Sequence, residues 1–380
     1  MFTPEEREDL VKAIVGLAKE AQPALRDVPD EDIARQVRLP SSLEELRERP
    51  PAECCALAFA LLESGKWERA EEILVHTEPR ARESADILNV KSLLARLKCG
   101  RGELHESMDL YKECVRIAQD TQNEAELARL YGEIGLIFSD RGDYTRALEY
   151  HRKSLEEHSR LGNVSAQATE YGNLGSVFRQ LGKSAQAKDA LENAIALAQK
   201  AGDEGAVGKW HGHIGCVCLA EGDLAGASAS LEKALALAEK VGDRMTIASV
   251  LGSLGTVHHE KGDDDEALKH YEAAAEELGR IGAEPSKAVW IMNIGSIHRG
   301  RGDVAKAEAA YKDALAIFER IGDRHRIAKA LLNLSFLQQQ CGNTEQALRN
   351  CAKAEEYFTE VGDSRMAAEA AAARERLGGG

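Results

Sequence analysis

The chain has 380 residues, a formal net charge of −15 at pH 7 and a hydrophobic content of 43% with few aromatic residues. This acidic balance argues against a general nucleic-acid or anionic-membrane binder, since both need a basic surface. No run approaches the roughly 18 apolar residues of a membrane span, and the N-terminus lacks the basic start of a signal peptide, so we expect a cytoplasmic protein.

Residues 1–50 predict a small helical segment that does not share the pattern of the rest of the chain. Thr3 and Glu6 have the spacing of a helix capping box, and apolar residues from Leu10 to Leu17 recur at helical spacing, so a first helix is expected to end near residue 21. Prolines at 23, 29, 40, 50 and 51 divide the remainder into short helices near 30–37 and 42–49. Two interpretations stay open: the segment caps the array that follows, or it docks a second partner.

From residue 51 the dominant feature is a repeat of 40 residues, marked by two series of glycines. Two glycine turns per 40 residues, separated by helical runs, predict a helix-turn-helix unit stacked on copies of itself. An irregular first copy precedes seven regular units that we expect to start near residues 88, 128, 168, 208, 248, 288 and 328. The irregular copy has Ala58, Gly65, Trp67 and Ala70 at the key positions. The two series are Gly102, Gly142, Gly182, Gly222, Gly262, Gly302 and Gly342, and Gly162, Gly202, Gly242, Gly282, Gly322 and Gly362.

Within each regular unit, the first helix carries a pair of apolar residues three positions apart, which predicts a buried stripe. Directly after the first of the pair comes a small residue, glycine in five units, and in six units the second helix carries an alanine at a matching position. Because a glycine inside a helix costs about 1 kcal/mol relative to alanine, its recurrence predicts a close approach of the second helix. The pairs are Leu94 and Leu97, Ile134 and Ile137, Leu174 and Val177, Ile214 and Val217, Leu254 and Val257, Ile294 and Ile297, and Leu334 and Leu337.

The turns combine a glycine with an aspartate, and this pattern predicts a left-handed residue that ends one helix and an N-cap that starts the next. Such short connections leave no room for a catalytic loop. We expect the solenoid to cover residues 51–367 and a capping helix with a glycine tail to cover 368–380; Gly378–Gly380 end either a tail or the stump of a linker. The predicted N-caps are Asp143, Asp203, Asp223, Asp243, Asp263, Asp303, Asp323 and Asp363.

Tyr171, Leu174, Gly175 and Phe178, with Ala187 and Ala194, resemble the signature of the tetratricopeptide repeat family. The 40-residue length is similar to the repeats of Pins/LGN-type adaptors and of bacterial tetratricopeptide repeat signalling proteins. The resemblance implies an all-α fold, a right-handed α-solenoid of about eight helix-turn-helix units. It also implies a concave groove, lined by the first helices, that holds a peptide or helix of a partner protein.

Three rows of residues on the first helices are the candidate groove, because they share a face at i, i+3 and i+6 that differs from the apolar face. The rows hold many uncharged polar residues, whereas an idle face usually carries Glu and Lys; a merely solvated face is the alternative. Gly132, Gly172, Gly212 and Gly252 predict a roomy first half, and Met292 and Leu332 a more apolar second half. The candidate residues are Asn173, Ser176, Arg179, His213, Cys216, Ser253, Thr256, His259, Asn293, Ser296, Arg299 and Asn333.

Catalytic and metal chemistry find little support in the sequence. His211, His213, Cys216, Cys218, His258 and His259 are the one cluster of metal-ligand types, and their spacing matches no zinc pattern. The eight cysteines are scattered without a CxxC motif, which favours small buried thiols over disulfides. No nucleophile with a base and an oxyanion turn can be drawn. We therefore predict no metal, no cofactor and no enzymatic activity.

The leading function is a non-enzymatic scaffold or adaptor for a protein partner, without nucleic acid or membrane. A peptide- or ligand-gated regulator or sensor is the alternative, and it includes the sensor arm of a larger signalling or defence protein.

Overall fold

The structure, a computed structural model, describes residues 11, 14, 15, 48–63, 66–101 and 103–378. Within these ranges it contains α-helices, one 3₁₀ turn at Glu78–Arg80 and no strand. The predicted short helices near 30–37 and 42–49 lie outside the described residues, apart from the last positions of the second. Of the predicted first helix, Val11, Ile14 and Val15 are described and are helical.

Seventeen α-helices make up the described part, as eight successive pairs and one final helix. They are α1 Pro51–Glu63, α2 Trp67–Thr77, α3 Ser84–Gly100, α4 Leu104–Asp120, α5 Glu124–Asp140, α6 Tyr144–Arg160, α7 Val164–Gln180, α8 Ser184–Ala201, α9 Glu204–Glu221, α10 Leu224–Val241, α11 Arg244–Glu260, α12 Asp264–Arg280, α13 Glu284–Gly300, α14 Val304–Ile321, α15 Arg324–Gln340, α16 Thr344–Glu360 and α17 Ser364–Gly378.

The eight pairs confirm the all-α repeat architecture, but the units start four residues before the predicted positions. The first helices of the regular units begin at residues 84, 124, 164, 204, 244, 284 and 324. Each helix begins directly after the turn, whereas the apolar pattern on which the prediction rested begins about one helical turn later. From α1 to α6 and from α8 to α17, each helix packs on the next one in the chain, and in several places the first helices of successive units also touch.

The glycine turns have the predicted left-handed backbone. Every described member of the two series, twelve glycines in all, has a φ between 67° and 83°, a region that side chains with a Cβ avoid. Gln122 stands where the second series would continue backwards from Gly162, and among the described residues it is the one non-glycine with a positive φ, at 52°. Gly102 lies outside the described residues.

Six of the eight predicted aspartate caps accept a hydrogen bond from a backbone N–H of the first helical turn, as Asp203 does from Ala206 N at 2.9 Å. Asp263 and Asp303 are also the N-cap residues of their helices, as predicted, but their side chains accept no such bond within the described part. Both carboxylates turn instead towards a histidine at the end of the preceding helix. His258 Nδ1 lies 3.9 Å from Asp263 Oδ2, and His298 Nδ1 lies 3.4 Å from Asp303 Oδ2.

The predicted apolar stripe forms the core, with Ile214 and Ile294 half-buried and the remaining members buried. The recurring glycines meet the second helix as expected. A Cβ at Gly175 would lie 2.7 Å from Leu191 Cγ and 3.2 Å from the carbonyl oxygen of Ala187, well inside ordinary contact distances. The glycine and alanine series therefore do mark a close helix contact.

Backbone contacts divide the chain into two compact units, residues 1–173 and 174–380. One hydrophobic core of the first unit includes Cys54, Leu61 and Leu74, and Ile14 packs against it. The largest core of the second unit surrounds Phe318 and Phe358 and reaches Leu377 of the last helix. All eight cysteines lie in the described part as thiols, and five of them are buried.

Candidate partner-binding surfaces

The candidate groove residues from Ser176 onwards lie on the first helices of the second unit, α7, α9, α11, α13 and α15. All of them are half-buried except His259, which is exposed. A half-buried polar row is what a helix face gives when its neighbours flank it but do not cover it. Asn173, the remaining candidate, is the last residue of the first unit and is also half-buried.

Two contacts join the rows from one repeat to the next. Ser176 Oγ and His213 Nδ1 are 2.9 Å apart, which is within hydrogen-bond distance. Cys216 Sγ and Ser253 Oγ are 3.7 Å apart, a length that fits a weak hydrogen bond to sulfur. Candidates on α7, α9 and α11 therefore meet side by side, as residues of one surface do.

A cavity of about 290 Å³, which we name the Arg179 cavity, gathers four of the predicted residues. Around them it places further side chains that the sequence did not single out, which lie earlier on α9 and α11 and, in the case of Leu231, on α10. The lining residues are Arg179, Lys209, Gly212, His213, Cys216, Leu231, Met245, Thr246, Ser249, Val250 and Ser253.

The Arg179 cavity is cationic. Two of its lining residues, Arg179 and Lys209, carry positive charge, and none of the described lining residues is a carboxylate. Partial desolvation lowers the pKa of Lys209, a residue that is still exposed to solvent and whose Nζ lies 4.7 Å from the centroid of the Trp210 ring. Burial, together with the charges of Lys209 and Arg179, lowers the pKa of His213 to about 4. At neutral pH the cavity therefore presents two cations and a neutral imidazole, which favours an anionic group.

Candidates further along the second unit are held by their own repeats. Thr256 Oγ1 and Ser296 Oγ each lie 3.1 Å from the hydroxyl of a core tyrosine, Tyr271 and Tyr311. His259 Nδ1 is 2.7 Å from Asp264 Oδ1. These contacts fix the orientation of the side chains. Three other candidates complete the rows: Arg299, whose guanidinium lies 5.8 Å from the Phe336 ring, and the half-buried Asn293 and Asn333.

The glycines expected to open space do so at only some positions. Gly212 lines the Arg179 cavity, but at Gly252 the prediction is wrong, because a Cβ there would lie 2.2 Å from Trp290 Cζ2. The side chain 38 residues further on fills that space. The larger Met292 and Leu332 share a core cluster with Ala330 and Ala370, the small residues 38 positions after them. A small residue in one repeat is thus matched by a large side chain in the neighbouring repeat, and the reverse, so a glycine alone does not create an open binding site.

A second cavity, of about 450 Å³, lies in the first unit between α5, α6 and α7, and we name it the Glu170 cavity. Asn173 is the one candidate groove residue on its wall. The lining residues are Ala125, Arg129, Gly132, Glu133, Leu136, His158, Leu161, Asn163, Ala166, Thr169, Glu170 and Asn173.

Sequence reasoning missed the buried polar cluster beside this cavity, His151, Ser154, His158 and Glu170. The signal was present, since these positions are apolar in the four following repeats. The residues at the His151 position are Leu191, Leu231, Tyr271 and Tyr311; at the Ser154 position Ala194, Ala234, Ala274 and Ala314; at the His158 position Ala198, Ala238, Leu278 and Phe318; and at the Glu170 position Trp210, Val250, Trp290 and Ala330.

The suspected metal-ligand cluster is dispersed. His213 pairs with Ser176, Cys216 with Ser253 and His259 with Asp264. Across the described ranges no group of three or more His, Cys, Asp or Glu is arranged to hold a metal ion, and no helix there is long and apolar enough to cross a membrane.

Comparison with known proteins identifies the class. Residues 83–156, 126–200, 206–276 and 287–361 match the tetratricopeptide repeat family, and these segments cover well over half of the chain. The chain belongs to the tetratricopeptide repeat family. No curated protein matches it by sequence.

Solved structures show the same fold at low sequence identity. Aspartyl phosphate phosphatase F from Bacillus subtilis is 11% identical with a TM-score of 0.60, and the alignment covers 94% of this chain and 95% of that one. A Rap protein complexed with competence and sporulation factor is 14% identical with a TM-score of 0.56, over 86% and 97% of the two chains. A signal transduction ATPase with numerous domains (STAND) protein from Pyrococcus horikoshii, which has a tetratricopeptide repeat sensor, is 16% identical with a TM-score of 0.55, over 97% and 62%.

Proposed function

We propose that this protein is a non-enzymatic scaffold or adaptor that binds a peptide or helix of a partner protein along the polar rows of its first helices. The partner segment presents a carboxylate to the Arg179 cavity. The proposed scaffold acts in the cytoplasm, without a cofactor and without nucleic acid.

The observation that carries the proposal is the charge of the Arg179 cavity. Arg179 and Lys209 approach one cavity from successive first helices, and none of its described lining residues is acidic, although the chain as a whole has a net charge of −15. Elsewhere on the described surface, cations such as Lys269 and Arg280 pair with glutamates on their own helix. A carboxylate that enters the cavity gains charge-assisted hydrogen bonds, which contribute about 1.5–3 kcal/mol each.

The test is a binding measurement on a peptide array of 12-residue segments, in which each segment with Asp, Glu or a free C-terminus is matched by its amide counterpart. The full chain is expected to retain acidic segments and to lose their amide forms. The double variant Arg179→Gln with Lys209→Gln is expected to bind the retained segments at least about tenfold more weakly. The control, Lys269→Gln with Arg280→Gln, removes the same charge from exposed ion pairs on α12. Equal affinity of the two double variants would refute the proposal.

The amide side chains of the rows are tested separately. A triple variant, Asn173→Ala with Asn293→Ala and Asn333→Ala, removes groups that can donate to and accept from a peptide backbone. Loss of affinity for acidic and amide segments alike is expected. Unchanged binding would remove the three asparagines from the proposed surface.

A peptide-gated regulator or sensor is the second candidate, favoured by the structural likeness to the Rap protein complexed with competence and sporulation factor and to the tetratricopeptide repeat sensor of the STAND protein. A regulator of this kind changes conformation when its ligand binds. X-ray scattering is expected to show a change in the radius of gyration when a retained peptide is added. An unchanged radius of gyration when the site is saturated would exclude the regulator and favour the scaffold.

A further inference from the structure

The junction between α6 and α7 gathers four of the eight buried polar residues of the described chain. His151 and Ser154 are 0% exposed, Glu170 is 6% exposed and His158 is 9% exposed. Burying a polar group without full compensation costs free energy, and an ionised one costs most. Four polar residues at positions that are apolar in later repeats therefore need a physical reason.

The inner half of the cluster is hydrogen-bonded except at His151 Nε2, which is buried and has no partner in the described part. His151 Nδ1 lies 2.7 Å from Glu170 Oε2, and Ser154 Oγ donates a hydrogen bond of 2.8 Å to the carbonyl oxygen of Ala128. Gly135 leaves room for the imidazole, since a Cβ there would lie 2.8 Å from His151 Nδ1. This half holds the carboxylate of Glu170 in one orientation.

The outer half faces the Glu170 cavity, which both Glu170 and His158 line. Within the described part of the chain, no donor bonds the second carboxylate oxygen, Glu170 Oε1, and His158 Nδ1 has no hydrogen-bond partner. Burial lowers the pKa of His158, so its imidazole is neutral at neutral pH and can accept a hydrogen bond at Nδ1. Glu170 Oε1 thus awaits a donor, and His158 Nδ1, which is itself buried, also lacks one.

The charge near the cavity is negative. Arg129 is the one cation on its described wall, and its guanidinium is bonded to Glu126 and Glu133. Those two carboxylates already outnumber it, so the described wall has no further cation to pair with Glu170. The lining also includes Leu136, Leu161 and Ala166, which suit a methylene chain.

We propose that the Glu170 cavity binds the guanidinium or ammonium group of a basic side chain, with Glu170 Oε1 and His158 Nδ1 as acceptors and the methylene stem against the leucine walls. The site lies within the first unit and does not depend on the proposed function of the Arg179 cavity. Its ligand class is an alkylguanidinium or alkylammonium ion, carried by a peptide or free in solution.

Binding is measured by isothermal titration of the full chain with two probes. Agmatine represents the free ion, and acetyl-Ala-Arg-Ala-amide represents the side chain of a peptide. The same peptide with citrulline in place of arginine keeps the shape and removes the charge. We expect arginine to bind at least tenfold more tightly than citrulline. Binding of agmatine as tight as that of the peptide indicates a free ion as ligand, and preference for the peptide indicates a partner segment.

Variants locate the site. Glu170→Gln keeps the volume and the contact with His151 but removes the charge, and Ala166→Leu fills the cavity without touching the carboxylate. Both variants are expected to bind the arginine probe at least tenfold more weakly than the wild-type chain does. Glu156→Gln, which removes a carboxylate from an exposed ion pair on α6, is the matched control and is expected to bind normally.

Thermal unfolding of each variant shows that it is folded before its affinity is compared. Failure of both probes to bind the wild-type chain, equal binding of the citrulline peptide, or wild-type affinity in Glu170→Gln and Ala166→Leu would each overturn the proposal. The Arg179→Gln, Lys209→Gln variant is expected to keep its affinity for the arginine probe. The two sites can therefore fail independently.

Discussion

Two glycines at the same repeat position, Gly212 and Gly252, are expected to respond to alanine in opposite directions. A Cβ at Gly212 would lie 3.4 Å from Val250 Cγ2, which is an ordinary contact. A Cβ at Gly252 would lie 2.2 Å from Trp290 Cζ2 and 2.3 Å from Cε2. The tryptophan ring is stacked on Tyr271 with a centroid distance of 5.6 Å, so its movement disturbs a second aromatic side chain.

The magnitudes follow from these distances. Each substitution gains about 1 kcal/mol of helix propensity, so Gly212→Ala is expected to raise the free energy of unfolding by up to that amount. In Gly252→Ala the ring must retreat by about 1.3 Å to reach contact distance, and overpacking of this kind costs about 1–3 kcal/mol. Because the propensity gain is common to both, the difference between the variants isolates the steric cost, about 1–3 kcal/mol.

The assay must resolve single repeats, because repeat arrays unfold in parts. Native-state hydrogen exchange of the amides of α9 and α11 reports the opening free energy of each variant. Gly212 faces a valine, Val250, where Gly252 faces Trp290. Combining Gly252→Ala with Trp290→Val is therefore expected to remove the steric cost. If both alanine variants change the opening free energy equally, contact with the side chain of the next repeat is not the reason why a glycine is needed at these positions.

Three further outcomes are expected. Gln122→Gly relieves a left-handed non-glycine residue and is expected to raise the free energy of unfolding by about 1 kcal/mol, measured by urea denaturation. Asp243→Ala removes a cap that accepts from Thr246 N and Oγ1 and is expected to cost about 1 kcal/mol, whereas Asp303→Ala, with no such cap in the described part, costs less. Since the pKa of His213 is lowered to about 4, the unfolded chain binds more protons between pH 4 and 6.5. Stability is expected to fall as the pH falls through that window, and His213→Asn to flatten the fall.

Each of these outcomes has a clear contrary result. A loss of stability in Gln122→Gly would show that the glutamine side chain contributes more than its backbone costs. Equal costs for Asp243→Ala and Asp303→Ala would mean that the caps act through charge at the helix end. An identical pH profile in His213→Asn would assign the pH dependence to other groups, and His105→Asn, at an exposed histidine, is the control for that comparison.

The helices, their pairing and their turns were predictable from the sequence, since the forces that set them are local. A glycine with positive φ and an apolar spacing of three to four residues act within one helical turn, so Gly142 and Leu174 could be placed without a structure. The repeat period of 40 residues then fixed the number of units. The half-buried polar rows were likewise readable, because the face of a helix follows from its period.

Only the tertiary structure decided what those faces meet. Trp290 fills the space at Gly252, Glu170 reaches the wall at Gly132, and His298 draws Asp303 from its cap. The first two contacts join residues 38 positions apart, and their outcome depends on the shapes of two side chains that lie on different helices. The third is a choice between two donors for one carboxylate. Periodicity locates such residues on a face of the helix. The packing of neighbouring repeats determines whether the space beside them is filled by the core, left open as a cavity or occupied by a charged side chain.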